Sequence, residues 1–132
     1  MVSTYGYITI ALLEDYIGLD LSTIDSVVFS DAHVDAIITS AEEIINAYIG
    51  VSTAQTSTNG LVVCTKAISA KLVFQIFKTL GYDTNLLEAV LFINMPTKEI
   101  LDTFLGESGV GADSIPMSGA NNNLYNWYHW WY

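Results

Sequence analysis

Apolar residues recur at steps of three and four along one stretch of the chain. The periodic positions are Val34, Ile37, Ile38, Ala41, Ile44, Ile45 and Tyr48. This spacing predicts an amphipathic helix from Asp31 to Tyr48. Ser30 stands where a side chain can cap the first turn, and Gly50 lies just past the last periodic residue, where glycine commonly ends a helix. The opposite face carries a polar stripe that we expect to be exposed: Asp35, Thr39, Glu42 and Asn46.

A second long helix is predicted from about Leu61 to Leu80, with Gly81 at its end. Its apolar residues go most of the way around, which is typical of a helix at the centre of a bundle or one covered on a second side by another subunit. One narrow polar strip remains, formed by Lys71, Gln75 and Lys78. Residues 52–59, between the two long helices, are polar and predict a loop.

The chain before the first long helix predicts one short helix. It begins at about Thr9 and ends at Ile17, because apolar residues repeat at helical spacing and Gly18 follows. Residues 19–30 mix polar residues with the apolar cluster Val27, Val28 and Phe29. We expect a loop there that tucks this cluster into the core.

Two further short helices are predicted after the second long one. Asn85 and Glu88 have the spacing of a capping box ahead of apolar residues that run to Phe92. Pro96 can open the last helix, which Gly106 ends. The pattern therefore predicts an all-α fold, a small bundle of four to five helices with an extended C-terminal tail.

The last eight residues form an aromatic tail. Six of them are aromatic, and they include every tryptophan of the chain: Tyr125, Trp127, Tyr128, Trp130, Trp131 and Tyr132. The segment before them is rich in Gly, Ser and Asn, a composition typical of a flexible connection. We therefore divide the chain into a helical adaptor domain, residues 1–105, and a flexible linker with a docking tail, residues 106–132.

Because exposed aromatic surface promotes association, we expect the aromatic tail to bind a partner protein. Two alternatives stay open. The tail can fold back and complete the core of its own domain, or it can lie on a membrane surface. Negative charge disfavours the membrane, since anionic lipid repels an acidic chain.

Charge narrows the possible functions. The 132 residues contain 14 acidic groups, four lysines and no arginine, and the net charge is −10. Sequence-specific nucleic-acid binding is not expected, because it relies on cations for phosphates and on the guanidinium fork for bases. No apolar run approaches the roughly 20 residues of a membrane span, so we expect a soluble protein without a signal peptide or a membrane helix. A single cysteine, Cys64, excludes an internal disulfide framework.

Opposite charges are segregated between the two long helices. Lys66, Lys71 and Lys78 stand on the second, while the first is acidic. Pairing between these surfaces, within or between subunits, is one hypothesis, and a solvated strip is the other. Candidate channel or inter-subunit residues are Asp35, Glu42, Glu43, Lys71 and Lys78.

The sequence contains no complete catalytic or cofactor-binding motif. Residues 106–111 resemble the opening of a phosphate-binding loop, but Ala112 and Asp113 stand where that loop needs Lys and Ser or Thr. His33, His129 and Cys64 are too dispersed for a zinc site or a catalytic group. We expect no enzyme activity, no cofactor and no metal.

From Tyr5 to about Tyr82 the chain resembles the head-tail connector family of tailed bacteriophages, also called adaptor or head-completion proteins. The resemblance is carried by Tyr7-Ile8-Thr9 before a short helix that ends Glu14-Asp15-Tyr16-Ile17-Gly18. It is also carried by the stretch Val34 to Gly50, with Ala41-Glu42-Glu43-Ile44-Ile45-Asn46-Ala47-Tyr48-Ile49-Gly50 as its core. An apolar helix from Thr65 to Leu80 follows in the expected order. Past Leu105 the resemblance ends.

The resemblance implies a structural virion protein. It would form a ring, a dodecamer by family resemblance, beneath the portal of the capsid, extend the DNA channel and receive the tail. Its partners would be the portal protein and a tail or head-completion protein, and DNA would pass without sequence-specific binding. It would be assembled in the host cytoplasm and reside in the neck of the virion. Alternatives are another neck component, such as a tail-completion protein, and a generic helical adaptor that binds an unrelated protein through its aromatic tail.

Overall fold

Two long helices form the centre of the fold. The computed structural model describes residues 4–56 and 58–106, and in this part of the chain the five α-helices are α1 (Ile10–Ile17), α2 (Leu21–Ile24), α3 (Asp31–Ile49), α4 (Asn59–Leu80) and α5 (Thr97–Phe104). A short 3-10 helix covers Thr84–Leu86, and the described residues contain no strand. The expected all-α bundle of four to five helices is confirmed.

Helices α3 and α4 run antiparallel and share two clusters of buried side chains. Val34 and Ile38 at the start of α3 pack in one cluster with Val73 and Phe77 near the end of α4. At the other end, residues 44–48 of α3 pack with the first turns of α4 and with α5. Because each cluster joins opposite ends of the two helices, α3 and α4 align side by side over their whole length. The first cluster is closed by α1, α2 and residues 87–93.

The ends of the long helices lie close to where the sequence predicts them. Ser30 accepts a hydrogen bond from the backbone N–H of His33, and Thr58 accepts one from Leu61, so both helices begin with a side-chain cap. Gly50 and Gly81 end them with φ angles of 87° and 80°, in the left-handed region that glycine adopts without a steric cost.

The segment between α1 and α3 is more regular than the expected loop. It contains α2, and only part of its apolar cluster points inward: Phe29 is buried against Phe77, whereas 73% of Val27 is exposed. The exposure of Val27 follows from a turn in which the Asp25 carboxylate accepts the N–H groups of Val27 and Val28. Such side-chain to backbone hydrogen bonds fix the local backbone conformation, and this conformation, not the apolar character of the residue, determines where Val27 points.

The predicted α-helix through Asn85–Phe92 does not form. Asp83, and not Asn85, accepts the capping hydrogen bond, and a 3-10 helix at Thr84–Leu86 leads into a series of turns. Backbone N–H groups at 87, 90, 93 and 95 bond to carbonyls three residues earlier. Side chains separated by three residues therefore fall on the same face, and Leu87, Val90 and Ile93 are all buried.

Helix α4 differs from the expectation in one respect. It is long and apolar enough, by length and composition, to cross a membrane, although we expected no such segment. Half of its most apolar window is buried within the fold. The central helix of a bundle satisfies the same criteria, since it is covered by other helices on most sides.

Helix α5 lies against the first turns of α4. Ile100, Leu101 and Leu105 are buried there, and Gly60 allows the close approach: a Cβ at this position would lie 2.6 Å from the carbonyl oxygen of Phe104. Pro96 precedes α5, as predicted, and fixes its start.

Candidate functional site

The predicted docking tail lies outside the described residues. This applies to Tyr125, Trp127, Tyr128, Trp130, Trp131 and Tyr132, and to the linker from residue 107 onward. The other candidate residues are all described, and they occupy three different environments.

Glu42 is not on the exposed face of α3, and the prediction of a continuous exposed stripe is wrong. Its side chain is fully buried. The two carboxylate oxygens accept hydrogen bonds from the backbone N–H groups of Tyr5, at 3.2 Å, and Tyr7, at 2.9 Å. Glu42 therefore holds the N-terminal segment against α3 and is not available to line a channel or an interface between subunits.

Asn46 was also expected to be exposed and is buried instead. Its side-chain oxygen accepts a hydrogen bond of 2.6 Å from the Tyr7 hydroxyl, which itself accepts one of 3.1 Å from the backbone N–H of Gln55. The Asn46 amide donates to the carbonyl of Thr53 at 3.4 Å. These bonds join the N-terminal segment, α3 and the α3–α4 loop in one buried polar network.

Asp35 and Glu43 do lie on the outer side of α3. They border a shallow hollow of about 450 Å³ whose floor is made of small side chains, among them Ala32, Ala36 and Ser40. Glu43 is exposed, whereas Asp35 is half-buried. One carboxylate oxygen of Asp35 is buried and has no hydrogen-bond partner among the described residues. The hollow thus offers two carboxylates, one of which lacks a donor.

Lys71 and Lys78 line a groove of about 200 Å³ between α4 and the segment before α5. Its walls include Phe74, Gln75 and Pro96. Lys71 is half-buried and its ammonium donates a hydrogen bond of 2.8 Å to the carbonyl of Met95. Burial, with a smaller contribution from the charge of Lys78, lowers the pKa of Lys71 below its ordinary value. The exposed Lys78 ammonium lies 4.6 Å from the centre of the Phe74 ring.

The two candidate charged surfaces face away from each other. Val34, Ile38 and Ile45 turn one side of α3 toward α4, and by helical spacing the hollow lies on the other side. The lysines of the groove therefore do not reach the carboxylates of the hollow in the same molecule. Pairing of these faces within one subunit, one of the two forms of the pairing hypothesis, is wrong for these residues.

Cys64 and His33 have local structural environments. Burial raises the pKa of the Cys64 thiol to about 12, and its sulfur lies 3.7 Å from the carbonyl of Ile100. The His33 ring is exposed in the first turn of α3, as predicted, and its Nδ1 donates to the carbonyl of Val27 at 2.8 Å. Among residues 4–56 and 58–106 there is no group of three or more His, Cys, Asp or Glu side chains that could hold a metal ion.

Comparisons with protein-family models, with curated proteins and with solved structures found no match. The charged surfaces and the buried polar network therefore have to be interpreted from their own chemistry.

Sequence reasoning named Tyr7 only in the resemblance, without its contact to Asn46, and did not name Asn94, which borders the groove. Both residues lie in irregular segments, which give no periodic signal. Glu42 did give a signal, since it stands four residues after the buried Ile38 and three before the buried Ile45. A carboxylate so close to the apolar side of a helix indicates a buried partner, because an unpaired charge is seldom buried.

Proposed function

We propose that this chain is a head-tail connector of a tailed bacteriophage, a structural virion protein that assembles as a ring beneath the portal and extends the DNA channel. Two of the stretches that carry the resemblance, residues 7–9 and 41–50, are far apart in the sequence. Their spatial relationship is the observation that supports the proposal best.

Those two stretches are bound directly to each other. Tyr7 donates its backbone N–H to Glu42 at 2.9 Å and its hydroxyl to Asn46 at 2.6 Å. All three residues are buried, so the contact is part of the folded core and not a surface coincidence. The residue classes on which the resemblance rests therefore have a common structural task, which is to fasten the N-terminal segment along the first long helix.

The charge of the chain suits a DNA channel. Carboxylates repel the phosphate backbone, and a chain without arginine lacks the side chain that clamps phosphate most strongly. With a net charge of −10 per subunit, the ring as a whole would repel DNA. DNA would then slide through without adhering, and no sequence-specific contact is needed.

The aromatic tail would supply the contact to the next component of the particle. Indole and phenol rings are enriched among the residues that contribute most to protein interfaces, so Trp127, Trp130 and Trp131 would be the principal anchors. The first partner is the portal protein, and the second is a tail or head-completion protein. The site of action is the neck of the virion, after assembly in the host cytoplasm.

Co-sedimentation with assembled portal particles of the same virus tests this function. The full chain is expected to pellet with portal, and a chain lacking residues 124–132 is expected to stay in the supernatant while its far-ultraviolet circular dichroism remains helical. Equal binding by the two chains would show that the tail is not needed to bind the portal. A full chain that ignores portal but binds tail-completed particles would place it elsewhere in the neck, and binding to neither would favour an unrelated adaptor.

A further inference from the structure

We propose that the hollow on α3 and the groove on α4 are the two halves of one interface, so that the hollow of each molecule receives the groove of a second copy of the same chain. This inference rests on the proposed function, because it names the residues through which neighbouring subunits of the ring would meet.

The hollow presents two negative charges to whatever lies against it. One is the charge of Asp35, whose side chain is half-buried at the hollow. Glu43 adds a second negative charge at the rim. Ala32, Ala36 and Ser40 recur at every fourth residue along the hollow, and their small side chains leave room for another helix to approach.

The groove offers hydrogen-bond donors to an acceptor from outside the molecule. An ammonium has three N–H donors, and the structure of residues 58–106 shows one of those of Lys71 bonded, to Met95. The second ammonium, that of Lys78, is exposed at the rim, and the repulsion between the two is one cause of the lowered pKa of Lys71. A carboxylate entering the groove would relieve this repulsion and complete the hydrogen bonding.

The spacing of charges agrees on the two faces. Asp35 and Glu43 are eight residues apart on α3, which corresponds to about 12 Å along the helix axis. Lys71 and Lys78 are seven residues apart on α4, or about 10.5 Å. Two helices lying side by side can therefore bring both carboxylates near both ammonium groups at once.

A second copy is the occupant that this chemistry favours. The chain carries 14 acidic groups and four lysines, and this groove holds two of those lysines. Because hollow and groove face away from each other in one molecule, the contact is head-to-tail and repeats from copy to copy. Each contact joins two positive with two negative charges, so the assembled ring keeps its net negative charge while two of its lysines per subunit are covered.

Sedimentation equilibrium of four samples at low and moderate salt tests the interface: the wild-type chain, Glu43→Lys, Lys78→Glu, and an equimolar mixture of the two variants. Each variant alone places like charges across the contact, and we expect its association to weaken by about tenfold or more. In the mixture, the lysine introduced at position 43 of one variant meets the glutamate introduced at position 78 of the other, and the next contact along has its native charges. The mixture is therefore expected to assemble in alternation with close to wild-type strength.

Two controls separate this result from a general effect of charge or folding. Glu88→Lys makes the same change of charge at an exposed residue outside both faces and should assemble as the wild type does. Asp35→Ala should weaken assembly, because it removes one of the two negative charges of the hollow. It should not lower the stability of the monomer to urea, because one of the oxygens removed is buried and has no partner within the described part of the chain.

The outcomes distinguish this inference from the proposed function. If the wild-type chain forms rings and the charge reversals leave assembly unchanged, or if the mixture stays dissociated, the interface is wrong and the connector function stands. A wild-type chain that is monomeric alone but binds portal also overturns the interface only. A monomer that does not bind portal overturns both.

Discussion

Replacing Glu42 by Gln tests the buried network that fastens the N-terminal segment. The carboxylate of Glu42 is fully buried and accepts the backbone N–H groups of Tyr5 and Tyr7 at 3.2 and 2.9 Å. Gln keeps the size of the side chain and one acceptor oxygen, but its amide group places N–H donors where the second oxygen stood. One backbone N–H loses its acceptor and faces another donor.

The expected loss of stability follows from these contacts. A hydrogen bond to a charged group contributes about 1.5–3 kcal/mol, and a buried donor left unsatisfied costs about 1–3 kcal/mol. Since the two costs overlap, Glu42→Gln should lower the free energy of unfolding by about 2–4 kcal/mol. With a denaturant slope near 2 kcal/mol per molar urea, the unfolding midpoint should fall by about 1–2 M.

Glu43→Gln is the matched control. It makes the same chemical change at the next residue, whose side chain is exposed, and the free energy of unfolding should change by less than about 0.5 kcal/mol. Urea unfolding followed by circular dichroism gives both values at a protein concentration low enough to keep the chain monomeric. Amide hydrogen exchange adds a local readout, because the Tyr7 N–H should lose protection in Glu42→Gln alone. Equal stability of the two variants, with Tyr7 still protected, would refute the reasoning.

Three further predictions address other parts of the fold. A Gly→Ala change stabilises an ordinary helix by about 1 kcal/mol, but the Cβ of Gly60→Ala would lie 2.6 Å from the Phe104 carbonyl oxygen. The free energy of unfolding in urea should therefore fall by about 1–3 kcal/mol. A rise in the free energy of unfolding would contradict the described packing. The Tyr82 hydroxyl, together with the backbone N–H groups of Val28 and Val27, lowers the pKa of Asp25 below its ordinary 3.8. This contribution to stability is complete above pH 3.8 and is lost as the pH falls through the folded-state pKa. The difference in urea midpoint between the wild type and Asp25→Asn should therefore shrink on acidification. A difference that stays constant with pH would contradict the lowered pKa of Asp25. Burial of Cys64 with its pKa raised to about 12 should make a disulfide reagent slow to label the native protein at about pH 8 and fast in urea; rapid labelling of the folded chain would be inconsistent with that burial.

The regular part of the fold was predictable because several local signals agreed at the same positions. Along α3, the apolar period, the Ser30 cap and the Gly50 stop all indicated one helix, and the structure has it. The turns after Thr84 were not predictable in this way. Leu87, Val90 and Ile93 have a spacing that both an α-helix and a 3-10 series accommodate, so the spacing does not distinguish the two; in the structure all three are buried in the cluster shared with Phe77.

The sequence was sufficient to select the charged candidate residues, but not to predict what each of them contacts. Helical spacing places Asp35 and Glu43 on the outer side of α3, yet it gives no information on what covers Glu42. That depends on Tyr7, which is 35 residues away in the chain and lies in an irregular segment. The groove likewise depends on the turns that carry Asn94 and Pro96 back to α4. Contacts of this range are determined by tertiary packing, which periodicity does not encode.

The central claim is that copies of this chain close into a ring that joins the portal. Electron microscopy of the purified full chain, alone and mixed with portal particles, tests it most directly. The account predicts closed rings with a central opening, stacked on the portal and of matching symmetry. A field of single small particles, unchanged by the addition of portal at any concentration, would contradict it.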